Sequence, residues 1–340
     1  MRKIIKRLYL TLIKIIDICY RPSINKDIVM LMTFKEDQSE LLINLLTEHK
    51  VTVIYHPKYE DFIKSLNQNH LKSIPLSNKY IIQQVFAIKN ARIILIDTYY
   101  LLLGSITKSS KQEVIQLWHA SSALKLFGLE DKSIDLTDMK SIEQYLKVYH
   151  FTDSYIVAGD KMVNIFKRSL DAYEKNFMLT GLPRLTVNEQ SRKNNSILFL
   201  PTYREYDLDE DEKLHEDDIQ HLIIKAHPSD RNYASTSELP TKELMLASDI
   251  IITDYSSLAV EAAYYNKKVV FYVPDEAKYN EQRGLNNEYY SLSKGRKAYT
   301  IDQLKNILKT ASIPEISDWT NYQSDDACQK LINYIKEQIK

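Results

Sequence analysis

Cysteine is almost missing from this 340-residue chain: the two present, Cys19 and Cys328, lie near opposite ends. They make neither a metal-spaced cluster nor a disulfide framework, which fits a reducing cytoplasm. Net charge is missing as well, since 45 basic residues balance 45 acidic ones. No global field therefore draws the protein to nucleic acid, and nucleic acid is not an expected partner. Glycine is scarce at 6 residues, which says more about coding bias than about mechanism. No long apolar run occurs either. The N-terminal MRKIIKRLYLTLIKIIDICYR is interrupted by Lys14 and Asp17, so it is too short to span a bilayer. No small-residue cleavage site follows it, so a secretory signal is not expected. Internal repeats and low-complexity segments are also lacking.

What is there describes a folded protein long enough for two ordinary domains, with 44% hydrophobic and 26% charged residues. The first segment carries Arg2, Lys3, Lys6, Arg7, Lys14 and Arg21 against the single acid Asp17, with Ile4, Ile5, Leu8, Leu12, Ile15 and Ile16 between them. Residues 1–22 thus read as a basic amphipathic helix. It suits an anionic membrane surface, or packing on the domain with its lysines snorkelling.

Beyond Pro22, short apolar runs alternate with helical stretches. Strands are expected at Asp27–Phe34, Val51–Tyr55, Ile93–Asp97, Glu113–Leu117, Asp153–Val157 and Phe177–Thr180, and helices around Leu41–His49 and Ile81–Lys89. After a polar linker at 186–195 the alternation restarts with strands at Ile197–Leu200, Leu222–Lys225, Ile250–Thr253 and Lys268–Val273. Alternating strands and helices imply parallel sheets covered on both faces. The fold class is α/β, with two halves, 23–185 and 196–340, and a cleft between their sheets. Residues 205–218 hold nine acidic side chains against one lysine and read as a solvated loop rather than a metal site. The tail from Asp302 to Lys340 reads as amphipathic helices closing the fold.

The most informative stretch is Thr241–Asp275. A buried strand ends at Thr253, Asp254-Tyr-Ser-Ser257 supplies turn and N-cap chemistry, and a helix follows from Leu258 to Tyr265. Ser256 and Ser257 stand at the helix entrance, where unpaired N–H groups suit a phosphate, although one of them can serve simply as a cap. His119, Arg204 and His227 likewise each come just after an expected strand, where ligands bind in doubly wound α/β sheets. A histidine near neutral pKa can act as a general base, and an arginine can fork onto a phosphate. Pro228 helps fix the loop after His227. Together these residues suit phosphoryl transfer.

Five ordered blocks carry a family resemblance: Gln116-Leu-Trp-His119, Leu200-Pro-Thr-Tyr-Arg204, Lys225-Ala-His-Pro228, Ser248-Asp-Ile-Ile-Ile-Thr-Asp-Tyr-Ser-Ser257 and Phe271-Tyr-Val-Pro-Asp275. The chain resembles the CDP-glycerol glycerophosphotransferase family of teichoic acid biosynthesis. That resemblance implies two Rossmann-like domains in a glycosyltransferase-B-like arrangement, with no cofactor and no required metal. It implies transfer of glycerol phosphate from CDP-glycerol to a hydroxyl of a polyprenol-diphosphate-linked disaccharide, with release of CMP, at the cytoplasmic face of the membrane. His119 matches the family's base and His227 its second catalytic histidine. Arg204, Asp254, Ser256 and Ser257 match donor-phosphate contacts, and so does Arg283 in Glu281-Gln-Arg-Gly284.

The chain departs from the polymerases of this family, which carry His-Gly-Thr-Pro where it has His119-Ala-Ser-Ser122. Gly181-Leu-Pro-Arg184 continues with Leu-Thr186 rather than an aspartate. The Trp-His-Ala form, Lys125-Leu-Phe-Gly128 and the short chain are most similar to the glycerol-phosphate primases. A polymerase, a ribitol-phosphate transferase, a sugar-nucleotide glycosyltransferase and a non-catalytic nucleotide-binding membrane scaffold are the other readings of the same scaffold.

Overall fold

The computed structural model describes residues 2–185, 195–227 and 230–340. The linker segment 186–194, with Thr186, and Pro228 therefore lie outside the described residues. Seven strands, β1 (Ile28–Met32), β2 (Val51–Tyr55), β3 (Leu71–Pro75), β4 (Ile93–Ile96), β5 (Glu113–Gln116), β6 (Ser154–Ile156) and β7 (Asn176–Met178), form one sheet. Its order is β3-β2-β1-β4-β5-β6-β7 and every pairing is parallel. Five more, β8 (Ile197–Leu200), β9 (Leu222–Ile224), β10 (Ile250–Thr253), β11 (Lys268–Tyr272) and β12 (Lys297–Ala298), form a second parallel sheet ordered β12-β11-β10-β8-β9.

Successive side chains of a strand point to opposite faces, and both faces are covered here. In β1, Ile28, Met30 and Met32 enter one apolar cluster while Val29 and Leu31 enter another. The first cluster continues into the second half through Leu198, Ile251 and Val269, so a single core crosses between the sheets. Two strands escaped the sequence reading. β3 is an edge strand with a polar pattern ending in proline, and β12 has two residues.

The tail corrects the sequence division, which gave all of 196–340 to the second half. From Ser317 onward it packs on the first. Trp319 is fully buried there, and Gly159 lets its backbone pass so close that a Cβ would sit 2.3 Å from the Trp319 carbonyl carbon. Tyr322 N donates to Ala158 O at 2.8 Å. In the last helix, Ala327–Gln338, Tyr334 Oη donates to Glu113 and the Gln338 carbonyl accepts from Arg92. The apolar stripe Leu331, Ile332 and Ile335 belongs to the shared core, and that burial holds the tail there.

The first helix, Arg2–Cys19, is docked by one face only. Ile13 is buried, and Asp17 accepts from Lys89 Nζ at 2.7 Å and from Thr107 N at 3.0 Å. Burial opposes the Asp17 charge, but the bonds from Lys89, Thr107 and Lys14 win and hold its carboxyl down at about 2. The other face leaves Ile4, Ile5, Leu8, Leu12, Ile15 and Ile18 exposed.

Candidate active site

His119 is aimed by a strained turn. Beyond β5 the chain passes through Trp118, whose φ of 61° is unusual for a bulky side chain. Three bonds hold it there: Leu117 N to Ile96 O, Trp118 N to Gln116 Oε1 at 3.0 Å, and Gln38 Nε2 to Trp118 O at 2.7 Å. The Trp118 ring packs on Phe127 and Phe166, each 5.1 Å away. His119 then stacks on Phe34 at 4.1 Å, with Nδ1 2.8 Å from the Asp97 carbonyl oxygen. A carbonyl only accepts, so Nδ1 carries the hydrogen and Nε2 keeps its lone pair. Burial pushes this imidazole down to about 4, with the Asp97 carbonyl opposing and Arg184 and Lys125 adding to the effect. His119 is therefore neutral at pH 7, in the tautomer a general base needs.

Asp97 anchors the loop beneath it. One carboxylate oxygen accepts Thr33 N at 2.7 Å and Phe34 N at 2.8 Å, and the other accepts Tyr100 Oη at 2.6 Å. Burial pushes its carboxyl up to about 6 against those bonds.

Arg204 sits differently from the sequence expectation of a direct phosphate contact. It is 3% exposed, and its guanidinium faces two buried carboxylates. Nε and Nη2 fork onto Asp275 at 2.6 and 2.9 Å, while Nη1 reaches Asp254 at 2.9 Å and the Thr202 carbonyl at 2.8 Å. Asp254 is equally occupied, since it also accepts Thr202 N, Thr202 Oγ1 and Tyr255 N. Burial works against the Asp275 charge, and the bonds from Arg204, Tyr206 and Tyr255 outweigh it and keep that carboxyl below its ordinary range. This buried network stiffens the ends of β8, β10 and β11 at one point.

Ser256 and Ser257 stand half-buried at the start of the helix Leu258–Tyr264. Ser257 makes no side-chain cap, and Leu258 N reaches Ser256 Oγ only at 3.3 Å. His227 is exposed beyond β9, its ring 5.9 Å from Tyr203, the neighbour of Arg204 in the chain. Arg283 is exposed too, with Glu205 3.9 Å away.

The His119 loop and the Ser257 turn meet. Ser121 Oγ and Ser122 Oγ both donate to the Ser257 carbonyl at 3.3 Å. Arg184 ties the same seam, 3.0 Å from Asp37 of the first half and 2.8 Å from Glu261 of the second. Its Nη1 also donates to the His119 carbonyl at 3.4 Å. Three contributors escaped the sequence reading. Asp275 and Lys125 each fall in a block already recognised but were given no role there, whereas Asp37 carries no local pattern that sets it apart from surface charges.

Two parallel sheets joined by a seam at their strand ends, with a neutral histidine on one side and hydroxyls and an ion-pair network on the other, define a two-domain α/β fold of the glycosyltransferase-B-like class. A solved wall teichoic acid polymerase, TagF, shares this fold at a TM-score of 0.71 and 16% identity, covering 98% of this chain and 94% of that one. The model of the family described as CDP-Glycerol:Poly(glycerophosphate) glycerophosphotransferase matches residues 15–334, and the chain belongs to that family of enzymes. A teichoic acid glycerol-phosphate primase of Staphylococcus aureus (strain NCTC 8325 / PS 47) is 36% identical, with 100% of both chains covered. Another, from Bacillus subtilis (strain 168), is 31% identical over 76% of this chain and 77% of its own.

Proposed function

We propose that this chain is a glycerol-phosphate primase, adding glycerol phosphate from CDP-glycerol to a hydroxyl of a polyprenol-diphosphate-linked disaccharide. The observation that carries the chemistry is the Nδ1 bond of His119 to the Asp97 carbonyl, which leaves Nε2 as an unprotonated base. The acceptor hydroxyl loses its proton to Nε2 and its oxygen bonds to the β-phosphorus of the donor. The bond from that phosphorus to the bridging oxygen breaks, and CMP leaves with the electron pair. Ser256, Ser257 and Arg283 face the donor phosphates, and His227 stabilises the departing CMP. Arg204 and Asp254 act from beneath, holding the three strand ends in register. Similarity to named primases, one of them over its full length, favours a primase over a polymerase.

The same reading places the protein peripherally on the cytoplasmic side of the membrane. Among the described residues no helix is long and apolar enough to cross a bilayer. The exposed isoleucines and leucines of Arg2–Cys19 suit the headgroup boundary instead. Lys6 lies 5.3 Å over the Tyr145 ring, and Tyr145 lies 6.0 Å from Tyr99, just past the end of β4. The helix start is thus linked to the strand-end edge that carries His119, where a lipid-anchored acceptor must arrive.

The test is CMP release by purified protein given CDP-glycerol and a short-chain lipid-linked disaccharide, with products sized by mass spectrometry. One added unit is expected. Continued addition would make it a polymerase, preference for CDP-ribitol a ribitol-phosphate transferase, and turnover with UDP-sugars alone would end the proposal.

A further inference from the structure

Lys125 lies six residues past His119 on a stretch that the second half clasps from both ends. Upstream, the Ser121 and Ser122 hydroxyls bond to the Ser257 carbonyl. Downstream, Lys125 and Leu285 form an antiparallel bridge flanked by Leu126 N to Gly284 O at 3.0 Å and Asn286 N to Leu124 O at 3.1 Å. Asn286 Nδ2 adds a bond to the Ala123 carbonyl at 2.6 Å. Gly284 is required here, since its φ is +81° and a Cβ would come 2.6 Å from Leu126 Cδ1. The Lys125 backbone is therefore fixed between the Ser257 turn and the loop that carries Arg283.

Its ammonium is in an unusual position. Among the described residues the charges that act on it are Asp254, Arg283 and Arg204, and none is hydrogen-bonded to it. Asp254, the only anion of the three, already accepts from Thr202, Tyr255 and Arg204. Burial pushes the Lys125 ammonium below its ordinary range. Lys125 is half-buried, and no acidic side chain forms an ion pair with it among the described residues, so its charge is open to an anionic ligand.

Resting on the donor proposed above, we infer that Lys125 is the residue that grips the donor's diphosphate, from the acceptor half, across the seam. It meets the phosphates opposite Ser257 and Arg283, and its charge offsets the negative charge that gathers on CMP as the phosphorus–oxygen bond breaks. A lysine suits this as a compact point charge whose three donors follow the phosphate as it moves. Because the grip comes from the half that holds His119, donor binding also fixes the distance between base and phosphorus.

The test is calorimetric binding of CDP-glycerol, CDP, UDP, inorganic pyrophosphate and cytidine to the full chain and to Lys125→Met, Lys125→Gln and Lys125→Arg. The three diphosphate nucleotides and pyrophosphate should bind Lys125→Met roughly 10- to 100-fold more weakly, the scale of one lost charge-assisted hydrogen bond. Cytidine should be unaffected, Lys125→Arg should recover part of the loss, and the melting temperature of Lys125→Met should not fall. If Lys125→Met does not fold, Lys125→Gln carries the comparison. Undiminished diphosphate affinity in either neutral variant overturns the assignment, as does wild type that binds no diphosphate. Should wild type bind UDP and pyrophosphate but not CDP-glycerol, and lose both with Lys125→Met, the grip stands and the proposed donor falls.

Discussion

At the scale of single residues, the strongest constraint falls on His119. Its ring is fixed by Phe34 on one face and by the Asp97 carbonyl at Nδ1. His119→Ala should lower turnover by roughly 10²- to 10⁴-fold, the range for loss of a general base, with the thermal midpoint little changed. The pH profile follows from its depressed pKa, about 4 against an ordinary 6.5. The folded state favours the neutral ring, so its contribution to stability is complete above pH 6.5 and is lost as pH falls through 4. The acid limb of kcat/KM should accordingly fall below pH 6.5, and a limb centred at or above 6.5 would show that His119 is not the base. Arg204 is a different case. Arg204→Ala strands the buried Asp254 and Asp275 carboxylates and should cost about 3–5 kcal/mol in chemical denaturation, the range for breaking a buried ion pair. A folded, fully stable Arg204→Ala protein with weak donor binding would instead restore a direct phosphate contact.

At the scale of elements, the first helix shows how far composition reaches. Its basic and apolar residues suggest either docking or membrane contact, and the structure docks one face only: Ile13 and Asp17 are buried, while Leu8 and Leu12 stay exposed on the other. One sequence cannot separate two apolar stripes on the same helix, because both satisfy the helical period. Leu8→Glu with Leu12→Glu should leave the melting temperature unchanged, abolish sedimentation with anionic liposomes and spare activity on a water-soluble acceptor. Normal sedimentation of that variant would mean the helix only packs. Strands were the more legible elements. Val51–Tyr55 and Ile250–Thr253 match their expected bounds because runs of β-branched residues buried on both faces have few other readings. The site was legible in its blocks but not in its hydrogen bonds. Leu200-Pro-Thr-Tyr-Arg204 locates an arginine at a strand end, yet only tertiary geometry reveals that two aspartates, 50 and 71 residues away, absorb it.

At the scale of the molecule, alternating strands and helices were enough to read two parallel sheets, since such connections leave few topologies. The return of the tail was not readable, because an amphipathic helix carries no address for the face it will cover. That return bears on how the enzyme could be recombined with its relatives. The second half is an insert, entered after residue 185 and left before Ser317, rather than the terminal half of the sequence. Exchange of the module built on the second sheet between family members therefore needs two crossovers. A chimera that takes residues 195–316 from a relative and keeps the native Ser317–Lys340 preserves the seat of Trp319 beside Gly159 and should remain soluble. A single crossover at 195 brings a foreign tail to that seat and should yield aggregated protein on size-exclusion chromatography. Equal yields from the two designs would show the tail to be interchangeable.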